Sequence, residues 1–117
     1  MVVDTTTQPN ADRVFHALSD GTRRDILRRS LQGENSVSTL ASFYPMSFAA
    51  VQKHVAVLER ADLVSKRRSG REQLVRGDAA AITYAMTLLA RLEAEWRERL
   101  DRFDDVLSTH LEKGTDR

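Results

Sequence analysis

The 117-residue chain has no cysteine. That removes disulfides, thiolate metal sites and cysteine nucleophiles together, and it fits a reducing compartment. No apolar run approaches the length of a membrane span, and the opening MVVDTTTQPN has neither the basic nor the apolar region of a signal peptide. A cytoplasmic protein is therefore expected. No paired carboxylates suited to a cleft, no nucleophile with a base and no glycine-rich phosphate loop can be made out, so no catalytic residue and no cofactor are assigned and an enzyme is not expected. The chain also lacks the low hydrophobicity of a disordered segment. With 41% hydrophobic and 30% charged residues it is an ordinary folding mixture, and its length suits one domain.

The formal net charge of +1 conceals a distribution. Between Pro45 and Gly77 seven basic residues stand against three acidic ones, whereas from Asp78 onward six basic residues face nine acidic ones. A basic middle followed by an acidic segment points to a polyanion-binding surface beside a helix with another task.

Along the chain, residues 1–9, rich in threonine and ending at Pro9, read as a flexible arm. Asn10 is the expected cap of a helix ADRVFHAL, with Ala11, Val14, Phe15 and Leu18 on one stripe. Ser19 to Thr22 (SDGT) interrupts it, and Thr22 is the expected cap of RRDILRRSL. That helix should bury Ile26, Leu27 and Leu31 and expose Arg23, Arg24, Arg28 and Arg29, mainly as a solvated face. After QGEN, Val37 is expected to open a short extended pair and Ser38 to cap TLASFY, with Leu40, Ala41 and Phe43 inward. Pro45 then disfavours helix at Tyr44 and forces a turn.

Ser47 caps the next helix, expected over Phe48 to Ala61. Val51, Val55 and Leu58 recur at spacings of four and three and form its buried stripe, so Phe48, Ala49, Gln52, Lys53 and Ala56 share the outward face. Asp62 ends it. LVSKRRSGREQLVR then gives two extended runs around Ser69-Gly70, a hairpin with the glycine its turn needs. Asp78 caps a last helix without Gly or Pro until Gly114, whose apolar positions from Ile82 through Leu89, Trp96, Leu100 and Phe103 to Leu111 step by three and four. A helix of about 34 residues would extend roughly 50 Å at 1.5 Å per residue. That exceeds what so small a domain needs, so part of the stripe should pack on another subunit. The folded domain is expected over 10–112, with a flexible tail over 113–117.

Short helix, turn, longer helix and basic hairpin together make the winged helix-turn-helix arrangement, a mainly α fold of five helices with a small β-hairpin. In such a frame the longer helix enters the major groove. Gln52 pairs bidentately with adenine, Lys53 reaches guanine or phosphate, and small Ala49 lets the helix approach closely. Phe48 is either a thymine-methyl contact or a plug at the helix start. Ser47 and the free N–H groups at the helix start would meet a phosphate. His54, beside this face, would contact a phosphate or make a structural hydrogen bond, and Arg67, Arg68 and Arg71 around the hairpin tip would grip the backbone or enter the minor groove.

Four segments carry a family resemblance: ALSDGTRRDIL, MSFAAVQKHVAVLERADLV, KRRSGREQLVRGD and EWRERLDRF, in that order over about nine tenths of the chain. The chain resembles the ArsR/SmtB winged-helix repressors, above all the metal-free branch often encoded beside a polyketide-cyclase-like (START-like) protein. The resemblance implies a homodimer built from the first and last helices, with Val14, Phe15, Leu18, Leu89, Trp96, Leu100 and Phe103 in the interface. It also implies an operator with twofold symmetry and competition with RNA polymerase. Asp62 departs from it, since the family usually has glycine there and a left-handed residue is expected at that position. Many members sense metals, but the helix before Phe48 carries no soft ligand and His110 has no carboxylate three or four residues away, so no metal site is expected. His16 and His110 lie on the two helices of the implied interface and could meet. A DNA-binding repressor, autoregulatory on its own promoter, is the leading reading; a winged-helix interaction module working through the last helix is the alternative. Release from DNA needs a signal, such as a small-molecule effector, that the sequence does not name.

Overall fold

The computed structural model describes residues 8–115, which form five helices and a three-stranded antiparallel sheet. Of the arm expected over 1–9, residues 1–7 lie outside the described residues, as do 116 and 117 of the expected tail. The first helix, α1 (Gln8–Leu18), begins two residues before its expected cap Asn10. Pro9 permits this, because an N–H in the first helical turn has no intrahelical partner to lose.

Helix α2 (Gly21–Gln32) is capped by Asp20 and not by Thr22: the Asp20 carboxylate accepts the Arg23 N–H at 3.0 Å. That bond, reinforced by nearby positive charge, holds the carboxyl below its ordinary range. Next come β1 (Asn35–Ser36) and α3 (Val37–Ala41). Val37 is thus the first helical residue and Ser36, two residues before the expected Ser38, is the cap, accepting the Thr39 N–H at 3.0 Å. Two expected core residues are displaced outward. Phe43 is exposed and carries the Arg29 guanidinium 3.8 Å from its ring centre, a cation–π contact in place of burial. Leu31 is 42% exposed, with its side chain lying against Gly77.

Helix α4 (Phe48–Arg60) starts at Ser47, whose Oγ accepts the Ala50 N–H at 3.1 Å. It ends one residue before the expected Ala61 in a Schellman arrangement: Leu63 N–H donates to the Leu58 carbonyl and Asp62 N–H to that of Glu59, both at 3.0 Å. Asp62 occupies the left-handed position, φ 60°. Strands β2 (Val64–Ser69) and β3 (Glu72–Gly77) pair so that Ser69 faces Glu72, leaving Gly70-Arg71 as the two-residue loop, one position beyond the expected turn. Gly70 has φ 63°, as the first residue of a type II′ hairpin turn requires. On its other edge β3 pairs with β1, a third strand.

The core draws on all five helices and on β2 and β3: Val14 and Ala17 from α1, Ile26 and Leu27 from α2, Leu40 from α3, Val51, Val55 and Leu58 from α4, then Leu63, Val64, Val75 and Ala85. The last helix, α5 (Ala79–Thr115), starts at Asp78, whose carboxylate accepts the Ala80 N–H at 2.9 Å, and runs unbroken for 37 residues through Gly114. Two compact units divide the chain, one ending at Ala85 and the other beginning at Met86, so only the first turns of α5 belong with the winged helix. Among the described residues no helix is long and apolar enough to cross a membrane.

Candidate nucleic-acid interface

On α4 the inward stripe fixes what faces out. Val51, Val55 and Leu58 are at most 1% exposed, which leaves Phe48, Ala49, Gln52 and Lys53 on the free face, with Phe48 46% exposed. Phe48 is therefore not a core plug. Beside this face the hairpin forms the opposite wall of an open groove of about 370 Å³. Phe48 and Gln52 line it from α4, Ser38 from α3, and Lys66, Arg68, Arg71 and Gln73 from the wing.

Strand alternation decides which basic residues enter that groove. Successive side chains on a strand point to opposite faces, so Lys66 and Arg68 share one face of β2 and Ser65 and Arg67 the other. Arg68 stands opposite Gln73 in the pairing, which brings that amide to the same wall. Arg67 turns away: its guanidinium donates twice to the Glu34 carboxylate, at 2.8 and 2.7 Å, and holds that carboxyl below its ordinary range. It lines a larger hollow of about 800 Å³ behind the wing, with Ser65, Arg76 and Asp78, remote from Gln52. The structure therefore brings Phe48, Gln52, Arg68 and Arg71 together, keeps Ala49 and Lys53 on the adjoining free face, and separates Arg67 from them. Sequence reasoning missed Lys66, Gln73 and Ser38. The two-residue period of the strand from Arg68 would have pointed to Lys66, whose Nζ also lies 3.2 Å from Glu59 at the end of α4.

His54 does not reach the groove. It is half-buried against α2, and its Nδ1 accepts from the Arg23 guanidinium at 3.1 Å, with the Asp20 carboxylate 4.0 Å away. This is the structural hydrogen bond of the two expected alternatives. Arg23 is correspondingly not a solvated residue: it also donates to the carbonyls of Ala17 at 2.9 Å and His16 at 3.1 Å, the last turn of α1. Arg29 is occupied too, donating at 2.9 Å to Asp25, which accepts the Tyr44 hydroxyl at 2.6 Å and pairs with Arg28. These partners hold the Asp25 carboxyl low, Tyr44 foremost, while burial and the adjacent carboxylate push the Tyr44 hydroxyl up to about 12.

Comparison with known proteins gives this geometry its context. No family model matches the chain. An HTH-type transcriptional regulator of Mycobacterium tuberculosis, Rv2034, is 33% identical over 103 residues, covering 88% of this chain and 94% of the relative. The transcriptional repressor SdpR of Bacillus subtilis is 32% identical over 59 residues, covering 50% of this chain and 66% of its own length. Among solved structures, an ArsR-like transcriptional regulator from Rhodococcus sp. RHA1 superposes with a TM-score of 0.75 at 34% identity, covering 87% of this chain and 96% of that one. The chain belongs to the ArsR family of winged helix-turn-helix transcriptional regulators. A more distant neighbour, described as a homodimeric winged helix-turn-helix DNA-binding domain from Mycobacterium bovis, shares the fold at 24% identity and a TM-score of 0.64.

For this ArsR-family regulator the residues expected between subunits fall into two groups. Val14 is 1% exposed and belongs to the protomer's own core, which removes it from any interface. Phe15 is half-buried and Leu18 packs on that core. The α1 stripe faces inward because α2 and α4 both pack against it. On α5, by contrast, Leu89, Trp96, Leu100 and Phe103 are all exposed, Trp96 at 57% and Phe103 at 60%. Among the described residues no three His, Asp or Glu side chains gather at metal-ligand spacing.

Proposed function

We propose that the chain is a sequence-specific DNA-binding repressor that acts as a homodimer on an operator with twofold symmetry, including one upstream of its own gene. The observation that carries this reading is the groove shared by Gln52 and Phe48 with Arg68, Arg71 and Gln73. It joins base-reading chemistry on a projecting helix to backbone-gripping cations on the wing. Gln52 supplies a bidentate partner for adenine, Phe48 a surface for a thymine methyl, and Lys53 a donor to guanine or phosphate. The Ser47 hydroxyl accepts from the helix backbone and keeps its own proton free to donate to a phosphate at the helix start.

The reading adopts the metal-independent branch of the family, since the chain has no cysteine and α3 no soft ligand. It has no catalytic role, and an effector that releases the DNA remains part of the proposal. Footprinting on the region upstream of the chain's own gene, with and without cell extract as a source of effector, tests it. The expected result is a protected site whose half-sites lie about 34–36 Å apart, one turn of the duplex. Equal affinity for that region and for unrelated duplex would overturn the proposal.

A further inference from the structure

We infer that Glu34 is a positioning residue for the wing, which by drawing Arg67 behind the sheet aims Lys66, Arg68 and Gln73 at the groove. The inference rests on the DNA-binding reading above and adds to it a residue that itself touches no DNA. Three basic side chains follow one another in β2, Lys66, Arg67 and Arg68, and their charge alone does not decide which of them faces the groove. A slip of one residue would exchange the two faces of the strand. Carboxylates from two directions oppose that exchange. Glu59, at the end of α4, lies 3.2 Å from Lys66 Nζ on the groove side, and Glu34 accepts both bonds from Arg67 on the other.

The place of the pair in the sheet gives it leverage. β1 meets β3 only at Asn35 opposite Val75 and Ser36 opposite Leu74, so Arg67, which faces Leu74, is the last residue of β2 with a third strand beyond β3. From Arg68 to Gln73 the wing is a two-stranded ribbon, which twists more strongly than a wider sheet. Continued by one residue, the β1 register sets Glu34 level with Arg76 and Ser65. From there its carboxylate reaches past β3 to β2 and ties the two edges of the sheet together where the ribbon begins. Glu34 is carried on a fixed loop. The Asn35 side-chain amide donates to the Gly33 carbonyl at 3.1 Å and to that of Arg29 at 3.3 Å, and Ser36 caps α3. An exposed ion pair ordinarily adds little stability, but a forked pair between anchored backbones restricts direction, and direction decides where Arg68 and Gln73 point.

Two substitutions and their combination test this, by comparing affinity for a duplex spanning the region upstream of the chain's own gene with affinity for an unrelated duplex of equal length. Glu34→Ala removes a negative charge and releases a guanidinium, so electrostatics alone would tighten binding to both duplexes. A positioning role predicts instead that the ratio of the two affinities falls about tenfold, while the salt slope for the unrelated duplex rises by up to about 1 as Arg67 becomes free to meet phosphate. Arg67→Ala should lower the ratio by a similar factor without raising that slope. The double variant should fall no further than either single one, because both act through one pair. A ratio unchanged in Glu34→Ala, including the equal loss on both duplexes that partial unfolding would give, overturns the positioning role and leaves the DNA-binding reading standing. Losses that multiply in the double variant do the same. An unmodified protein that binds both duplexes equally overturns the DNA-binding reading and this inference with it.

Discussion

Arg67 and Arg68 are adjacent in sequence and opposite in role. Arg68 lines the groove with Gln52, while Arg67 is held by Glu34 behind the wing. Arg68→Ala and Arg71→Ala should each lower the slope of log affinity against log salt by about 1, whereas Arg67→Ala should leave that slope nearly unchanged. A salt titration of operator binding with the three variants checks this. Gln52→Ala should cost about 1–3 kcal/mol at one base pair and relax the preference there, measured with single-substitution operators. Asp62 is the left-handed cap expected from the family pattern, and its φ of 60° strains any residue with a Cβ. Asp62→Gly should therefore raise stability by about 1 kcal/mol in chemical denaturation, less whatever the added freedom of the unfolded chain removes. Asp25 has its carboxyl held below the ordinary 3.8 by Tyr44 and Arg29. A carboxyl lowered in the folded state binds fewer protons there than in the unfolded chain, so its stabilisation is present above 3.8 and is lost as pH falls through the lower folded value. Denaturation midpoints should drop across that acid window, and Asp25→Asn should flatten the drop.

At the scale of elements, period was legible and boundaries were less so. The stripe Val51, Val55 and Leu58 placed the outward face of α4 correctly because a helix of that length with one apolar face has only one way to bury it. Caps were misassigned in three of the first four helices because several residues in each loop can serve. Asp20 and Thr22 both suit a helix start, and only the position of the following backbone chooses between them. The strand β1 was missed in its true place because two residues carry no periodicity; its pairing with β3 creates it. Gly77 records another contact between elements. A Cβ there would approach the Leu31 side chain to 2.8 Å and its backbone nitrogen to 2.9 Å. Gly77→Ala should therefore destabilise the fold by about 1–3 kcal/mol, measured by thermal or chemical unfolding, because α2 and β3 would have to separate.

For the whole molecule, the basic middle and acidic last segment fall on different compact units, the first carrying the groove and the second the exposed stripe of α5. Under the proposed function those tasks are coupled, since two half-sites are held only while two copies are joined. Leu100→Glu should shift the protein towards monomer in light scattering and lower operator affinity by more than tenfold without altering the melting of the winged-helix unit. Amino-acid order by itself determined the succession of the five helices and the hairpin, the faces of α4 and α5, the left-handed junction at Asp62 and the family. Each of these follows from local periodicity, backbone preference or motif, which a linear string preserves. Tertiary structure alone decided that Val14 belongs to the core, that His54 and Arg23 bind each other across 31 positions, and that Arg67 leaves the groove for Glu34. Those outcomes depend on which side chain from a distant element arrives opposite, and that proximity exists only once the chain has folded.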